Sequence, residues 1–258
     1  MGVSTLWIPT TEPFDGASLL AFFGARAVAG VEEVTEESYR RSVSLKNGVG
    51  TLSVRPGAAG VHVELDLEHV ADQDEAVAVV RRLFDLDAEP APIAAVLSAD
   101  PLLAPLVARH PGLRVPGAAN GFEAAVRAIV GQQISVAGAR TVLGRMVDRY
   151  GGWPSPERLA SSDPASFPFP RARGAALVEV ARLAASGESM TRDRLLAIPG
   201  IGPWTVSYIA MRALGDRDVF LEGDVGVRRA LAALGGNADP DRWRPFRSYA
   251  IVHLWRSL

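Results

Sequence analysis

The sequence predicts an α+β protein: a small N-terminal antiparallel β-sheet domain with helices over residues 1–88, followed by a mostly helical region of two subdomains over residues 89–258. Three observations carry this expectation. Apolar residues alternate with period two from Tyr39 to Leu67. After Pro90 almost every segment shows helical spacing, punctuated by glycine and proline. The 258 residues are 48% apolar and 22% charged, a balance that suits a globular chain with a sizeable core.

The elements follow in order. Residues 14–29 place Leu19, Leu20, Phe22, Phe23, Ala27 and Val28 on one broad helical face. Ser42–Lys46 leads to Asn47-Gly48, a strong hairpin signal, and Thr51–Arg55 returns to Pro56-Gly57. Val61–Leu67 alternates cleanly, and residues 74–86 return to helix. Later helices are expected over 91–98, 101–108, 121–131, 135–150, 156–161, 171–186, 191–198, 203–214, 224–234 and 240–257. Ser155-Pro156 combines an N-cap serine with a proline at the first helical position. Trp153–Pro170 is rich in proline and is expected to loop over the surface.

Composition excludes several chemistries. With no cysteine there is no disulfide, thiolate zinc site or cysteine-bound iron–sulfur cluster. Four scattered histidines (His62, His69, His110 and His253) argue against a histidine-built metal site. No apolar run reaches the roughly eighteen residues of a membrane span, and the N-terminus lacks signal-peptide patterning. A cytoplasmic location is expected. Charge is unevenly spread: residues 1–100 carry 7 basic against 16 acidic side chains, a net of −9, and residues 101–258 carry 20 against 13, a net of +7. An anionic partner should therefore meet the C-terminal part. Lys46 is the only lysine, so Schiff-base chemistry would have to route through it.

The most specific motif is Ile198-Pro199-Gly200-Ile201-Gly202-Pro203-Trp204. Pro199 ends one helix, Gly200 and Gly202 permit a tight turn, and Pro203 suits the start of the next helix. Amides exposed at such a start, with the helix dipole, can hold one phosphate of a nucleic acid. The plain alternative is an ordinary helix–turn–helix connection. Some twenty residues on, Asp224 precedes Val225–Leu231. From position alone it reads first as an N-cap, a role compatible with that of one isolated functional carboxylate fixed at a helix start; Asp218 is its local rival. A phosphate-holding turn and a lone carboxylate together suggest chemistry on a base in DNA.

The hairpin, over residues 195–212, resembles the helix-hairpin-helix of the HhH-GPD superfamily of DNA glycosylases. Within it, the chain is most similar to the bacterial 3-methyladenine DNA glycosylase II family. Further motifs carry the resemblance: Arg82-Leu83-Phe84-Asp85-Leu86-Asp87, Pro111–Gly117, Val126-Arg127-Ala128-Ile129-Val130-Gly131-Gln132-Gln133-Ile134-Ser135-Val136-Ala137, Asp218-Val219-Phe220, and Trp243-Arg244-Pro245-Phe246-Arg247-Ser248-Tyr249-Ala250. They span nearly the whole chain in order.

The resemblance implies a base excision repair glycosylase that binds duplex DNA in the minor groove and flips an alkylated purine of the 3-methyladenine type. It would hydrolyse the N-glycosidic bond without a cofactor and leave an abasic site. It implies Asp224 as the catalytic carboxylate, stabilising positive charge on the sugar and orienting water. The implied base pocket is Phe22, Trp204, Tyr208 and Trp255; the implied DNA contacts are Gly200, Ile201 and Gly202 of the turn, with Gln133 or Ile134 as the wedge. No side chain is implied as a metal ligand, but the backbone of 197–202 would bind phosphate partly through a monovalent cation. The partner would be double-stranded DNA containing alkylated bases, bound by a monomer, with no membrane, in a cytoplasmic and nucleoid-associated setting. The bifunctional branch carries a Schiff-base lysine where Trp204 stands, so strand cleavage is not expected. Two positions depart from the family: Arg256 replaces an aromatic residue after Trp255, and Gln133 replaces a leucine. The competing reading is a non-catalytic helix-hairpin-helix DNA-binding protein. Arg244 and Arg247 are candidates for touching phosphate or orienting the last helix.

Overall fold

A computed structural model describes residues 2–235 and 238–258. The chain opens with strand β1 (Gly2–Pro9), helix α1 (Gly16–Arg26) and strands β2 (Glu32–Val34), β3 (Tyr39–Ser44), β4 (Val49–Gly57) and β5 (Gly60–Leu67). The sheet is antiparallel throughout, in the order β1-β5-β4-β3-β2. Its inner face follows the expected alternation: Val61, Val63, Leu65 and Leu67 point in, while His62, Glu64 and Asp66 point out. Helix α1 and helix α2 (Gln73–Phe84) cover that face, and Leu19, Leu20, Phe23, Val79, Val80 and Leu83 pack against Tyr39, Leu52, Val54 and Val63.

Strands β1 and β2 escape the sequence pattern. In β1 the inward positions are Gly2, Ser4, Leu6 and Ile8, and the outward ones include Val3 and Trp7. Apolar residues on both faces erase the alternation. The strand is held instead by pairing with β5, where Trp7 lies opposite His62 with ring centroids 4.5 Å apart.

The helices that follow are α3 (Pro90–Ser98), α4 (Ala104–Arg109), α5 (Gly121–Gly131), α6 (Val136–Tyr150), α7 (Pro156–Ala160), α8 (Arg171–Ala185), α9 (Arg192–Leu196), α10 (Pro203–Ala213), α11 (Val225–Ala233) and α12 (Arg247–Arg256). One core joins α5, α6, α8 and α10 through residues such as Val126, Ile129, Leu143, Leu177, Val180 and Ile209. Another gathers α3, α4 and α12 around the fully buried Trp243, whose indole donates to Asp100 at 2.7 Å.

Two expectations need correction. The helix expected over 240–257 is a short 3-10 turn at Pro240–Trp243, then α12, because Pro245 has no N–H to donate and holds Arg244 extended at φ −63°, ψ 141°. The stretch 153–170 is not merely a surface loop. Helix α7, capped by Ser155 through Arg158 N–H, stands where a helix was expected, but the stretch also buries Leu159 and Phe167 in the helical core. Among the described residues no helix is long and apolar enough to cross a membrane, and no cluster of His, Asp and Glu is arranged to hold a metal ion.

Candidate active site

The hairpin is α9, a turn over 197–202, and α10. Gly200 has φ +90°, the left-handed region that glycine enters freely. Ile201 is 5% exposed, and its N–H donates to Ile198 O at 3.0 Å, so this residue closes the turn and anchors it in the core. The amides of Gly200 and Gly202 have no partner among the described residues. A Cβ on Gly202 would meet only open space, so this side of the turn is free. Gly202 offers no side chain to cap α10, leaving the helix start to an outside anion.

Asp224 caps α11: its Oδ1 accepts from Val227 N–H at 2.9 Å. The same oxygen accepts from Trp255 Nε1 at 2.9 Å, and Oδ2 accepts from Trp204 Nε1 at 3.1 Å. Both carboxylate oxygens are therefore aimed by donors from three helices, α10, α11 and α12. Gly226 makes this possible: a Cβ there would lie 3.0 Å from Trp255 Cδ1 and 3.2 Å from Asp224 Oδ1. Gly226 was not among the expected site residues; its signal was its place two residues after the carboxylate.

The four expected pocket aromatics form two stacked pairs. Trp204 and Tyr208 stack with centroids 5.2 Å apart at 22°. Phe22, brought from the sheet domain by α1, stacks with Trp255 at 6.2 Å and 24°. All four are half-buried, which leaves ring surface accessible. Arg256 is exposed and donates from Nε to Ser18 Oγ at 3.3 Å, so it ties α12 to the start of α1.

Two arginines also belong to this cleft. Arg26 stands over Phe22, with Cζ 3.8 Å from the ring centroid. Arg212 Cζ lies 4.7 Å from the same ring and 5.3 Å from that of Tyr208. Each nitrogen of its fork makes a bond: Nε donates to Pro116 O, Nη2 to Gly117 O at 3.0 Å, and Nη1 to Tyr208 Oη at 2.5 Å. Both arginines were missed, although each sits four residues after a pocket aromatic, the spacing that brings two side chains together on one helix face.

Gln132 and Gln133 do not begin a helix. Gln132 ends α5, and Gln133 sits at φ +60° in the exposed link to α6, a conformation that costs a non-glycine residue about 1 kcal/mol. Ile134, 41% exposed, follows it. The Gln132 amide donates to Gly200 O and Thr205 Oγ1, both at 3.2 Å, which ties this projecting link to the hairpin. Arg173 Nη2 reaches Gln133 Oε1 at 3.4 Å. Asp218 is occupied elsewhere: it takes Arg247 Nε at 2.7 Å and Arg244 Nη1 at 2.5 Å. Those two arginines clamp the loop before Asp224.

A small sheet domain on a helical body thus carries a glycine hairpin and an indole-held aspartate beside one aromatic cleft. The AlkA N-terminal domain model matches residues 5–120. The chain is 34% identical to DNA-3-methyladenine glycosylase 2 of Escherichia coli strain K12, over 96% of this chain and 95% of that protein. It is 40% identical to a probable bifunctional transcriptional activator/DNA repair enzyme AlkA of Mycobacterium tuberculosis strain H37Rv, matching along its full length but spanning only 58% of that relative. A 3-methyladenine DNA-glycosylase structure from Archaeoglobus fulgidus shares the fold, with a TM-score of 0.84 over 97% of each chain at 21% identity. The chain belongs to the family of AlkA-type DNA-3-methyladenine glycosylases.

Proposed function

We propose that the chain is a monofunctional DNA glycosylase of base excision repair that removes alkylated purines of the 3-methyladenine type from duplex DNA. The names and similarity of its relatives support this reading. The observation that carries it is the setting of Asp224. An aspartate that only capped α11 would need Val227 N–H alone; here two indole N–H groups from other helices also fix it. A non-catalytic DNA grip would have no use for that arrangement.

The hairpin would hold a phosphate on the free amides of Gly200 and Gly202. As the family resemblance implies, the backbone of 197–202 would hold that phosphate partly through a monovalent cation. Gln133, with Ile134 beside it, would fill the gap left by the flipped nucleotide. The base would enter between Trp204–Tyr208 and Phe22–Trp255. As the C1′–N bond breaks, positive charge grows on the sugar, and the fixed Asp224 carboxylate stabilises it and orients the attacking water. A base alkylated on a ring nitrogen is already cationic and leaves readily, so no paired carboxylate is required. Trp204 offers no amine nucleophile. Lys46 lies in the loop between β3 and β4, where its backbone N–H bonds Glu75.

The test is mass spectrometry of bases released from methylated duplex DNA. Free 3-methyladenine is expected, together with intact abasic strands and no adduct trapped by borohydride. No released base would overturn the reading, and a trapped adduct would overturn the monofunctional part.

The tether at Gln132 gives a second expectation. Gln132→Ala removes two hydrogen bonds, each contributing about 1 kcal/mol. If the hairpin positions the wedge, single-turnover release from duplex DNA should fall roughly tenfold. Release from single-stranded DNA, where no partner base must be displaced, should fall much less.

A further inference from the structure

The pocket contains a positive charge that the reaction described above does not need. Arg26, the last residue of α1, is half-buried and pairs with no carboxylate among the described residues. Among the described residues, the one hydrogen bond of its side chain runs from Nη1 to its own helix carbonyl, Phe22 O, at a long 3.4 Å. Burial lowers its pKa, with Tyr208, Arg212 and Asp224 within electrostatic range. Arg212 differs: every nitrogen of its fork is engaged. The fork of Arg26 therefore keeps several unused donors beside the Phe22 ring that lines the cleft.

A guanidinium in that place acts oppositely on two kinds of base. It repels a base that already carries positive charge. Toward a neutral base with a carbonyl oxygen or ring nitrogen on its edge, it is a donor whose bond strengthens as the base leaves with the bonding electron pair. We propose that Arg26 is a specificity-determining residue that extends base release to neutral, acceptor-bearing purines and sets their rate relative to cationic ones. In this step the C1′–N bond breaks and its electron pair passes to the base. Arg26 N–H donates to the negative charge that results. Water adds to C1′, and the proton it loses ends on the departing base. The proposal rests on the glycosylase reading above.

Single-turnover release separates the two. Duplexes carry one deoxyinosine, as the neutral 6-oxo probe, or one 7-methylguanine, as the cationic probe. The wild-type protein should release both. Arg26→Met should slow hypoxanthine release by roughly tenfold or more and leave 7-methylguanine release unchanged or faster. Arg26→Lys, which keeps the charge but loses the fork, should restore part of the hypoxanthine rate. Equal loss on both probes would mean that Arg26 only supports the fold of the pocket, and the proposal fails. It fails equally if wild-type protein releases 7-methylguanine but no hypoxanthine, or if the ratio of the two rates is the same in Arg26→Met. Release of neither base by the wild type also overturns the proposal, whereas the glycosylase reading is decided separately by release of 3-methyladenine from methylated duplex DNA.

Discussion

Asp224→Asn should abolish base release while leaving DNA binding nearly intact. Asparagine keeps one oxygen and is as good an N-cap as aspartate, so α11 keeps its cap on Val227 N–H. With its oxygen on Val227 N–H and Trp255 Nε1, the amide nitrogen then faces the Trp204 indole N–H, donor against donor. That mismatch should cost about 1 kcal/mol in a half-buried setting, a fall of a few degrees in Tm. The chemical step loses far more, because the full negative charge opposite the developing cation is gone. Removing a single fixed electrostatic stabiliser typically costs roughly a hundredfold to a thousandfold in rate, and here the charge itself is removed. Binding to an abasic-site duplex should change less than about threefold, since the proposed grip is at Gly200, Gly202 and the Gln132 tether. Unchanged release of 3-methyladenine would show that Asp224 is only a cap.

Much of this site was legible in the sequence because its members are local signals. The glycine turn is written in consecutive residues, and the cap at Asp224 follows from its place before a helical stretch. The pocket aromatics came from family resemblance, since no local pattern separates Phe22 from its neighbour Phe23, which is core. Helix α1 turns Phe23 towards Tyr39, at a centroid distance of 4.7 Å, and Phe22 towards Trp255. That choice depends on where α12 lies in space.

The arginines were harder to see. A half-buried arginine looks like any of the chain's other arginines until its carboxylate partners are counted. Arg244 and Arg247 are bound to Asp218, whereas Arg26 has no such partner among the described residues. The aromatic set by itself pointed to a cleft for cationic bases; the two guanidiniums already lying against Phe22 alter that electrostatic balance. On the fold side, β1 was invisible because it is an edge strand with apolar residues on both faces. The break before α12 was visible as Pro245 but was outweighed by the periodicity on either side.

Glu123→Gln should be the most destabilising single polar change. Glu123 of α5 takes a two-pronged grip from Arg41 of β3, with Nη2 at 2.6 Å and Nη1 at 3.1 Å, and a third bond from Arg127 Nε at 2.9 Å. Glu32 completes the set, accepting from Arg127 Nη2 and Tyr39 Oη, both at 2.7 Å, and from Val28 N–H at 2.9 Å. Two carboxylates face two guanidiniums, with Glu32, Glu123 and Arg41 buried and Arg127 partly so, across the join between the sheet domain and the helical body. The glutamine variant leaves one of those positive charges uncompensated. Breaking a buried pair in this way typically costs about 3–5 kcal/mol, or roughly ten degrees in Tm for a chain of this size. The pH dependence carries a sign. Burial alone would push Glu123 up, but Arg41 and Arg127 outweigh it and hold the carboxyl down to about 2. A depressed carboxyl contributes stability that is fully present above its unfolded value, about 4.5, and is lost as pH falls towards about 2. Wild-type protein should therefore lose more stability than the variant across that window in thermal melts. Replacing both Arg41 and Glu123 by methionine should recover more than half of the loss, because Glu32 and Arg127 remain a balanced, bonded pair. The same network reaches the cleft, since Arg127 Nη1 donates to Arg26 O at 3.3 Å at the end of α1. Glu123→Gln should accordingly slow base release even at temperatures where it stays folded, by loosening the helix that delivers Phe22 and Arg26.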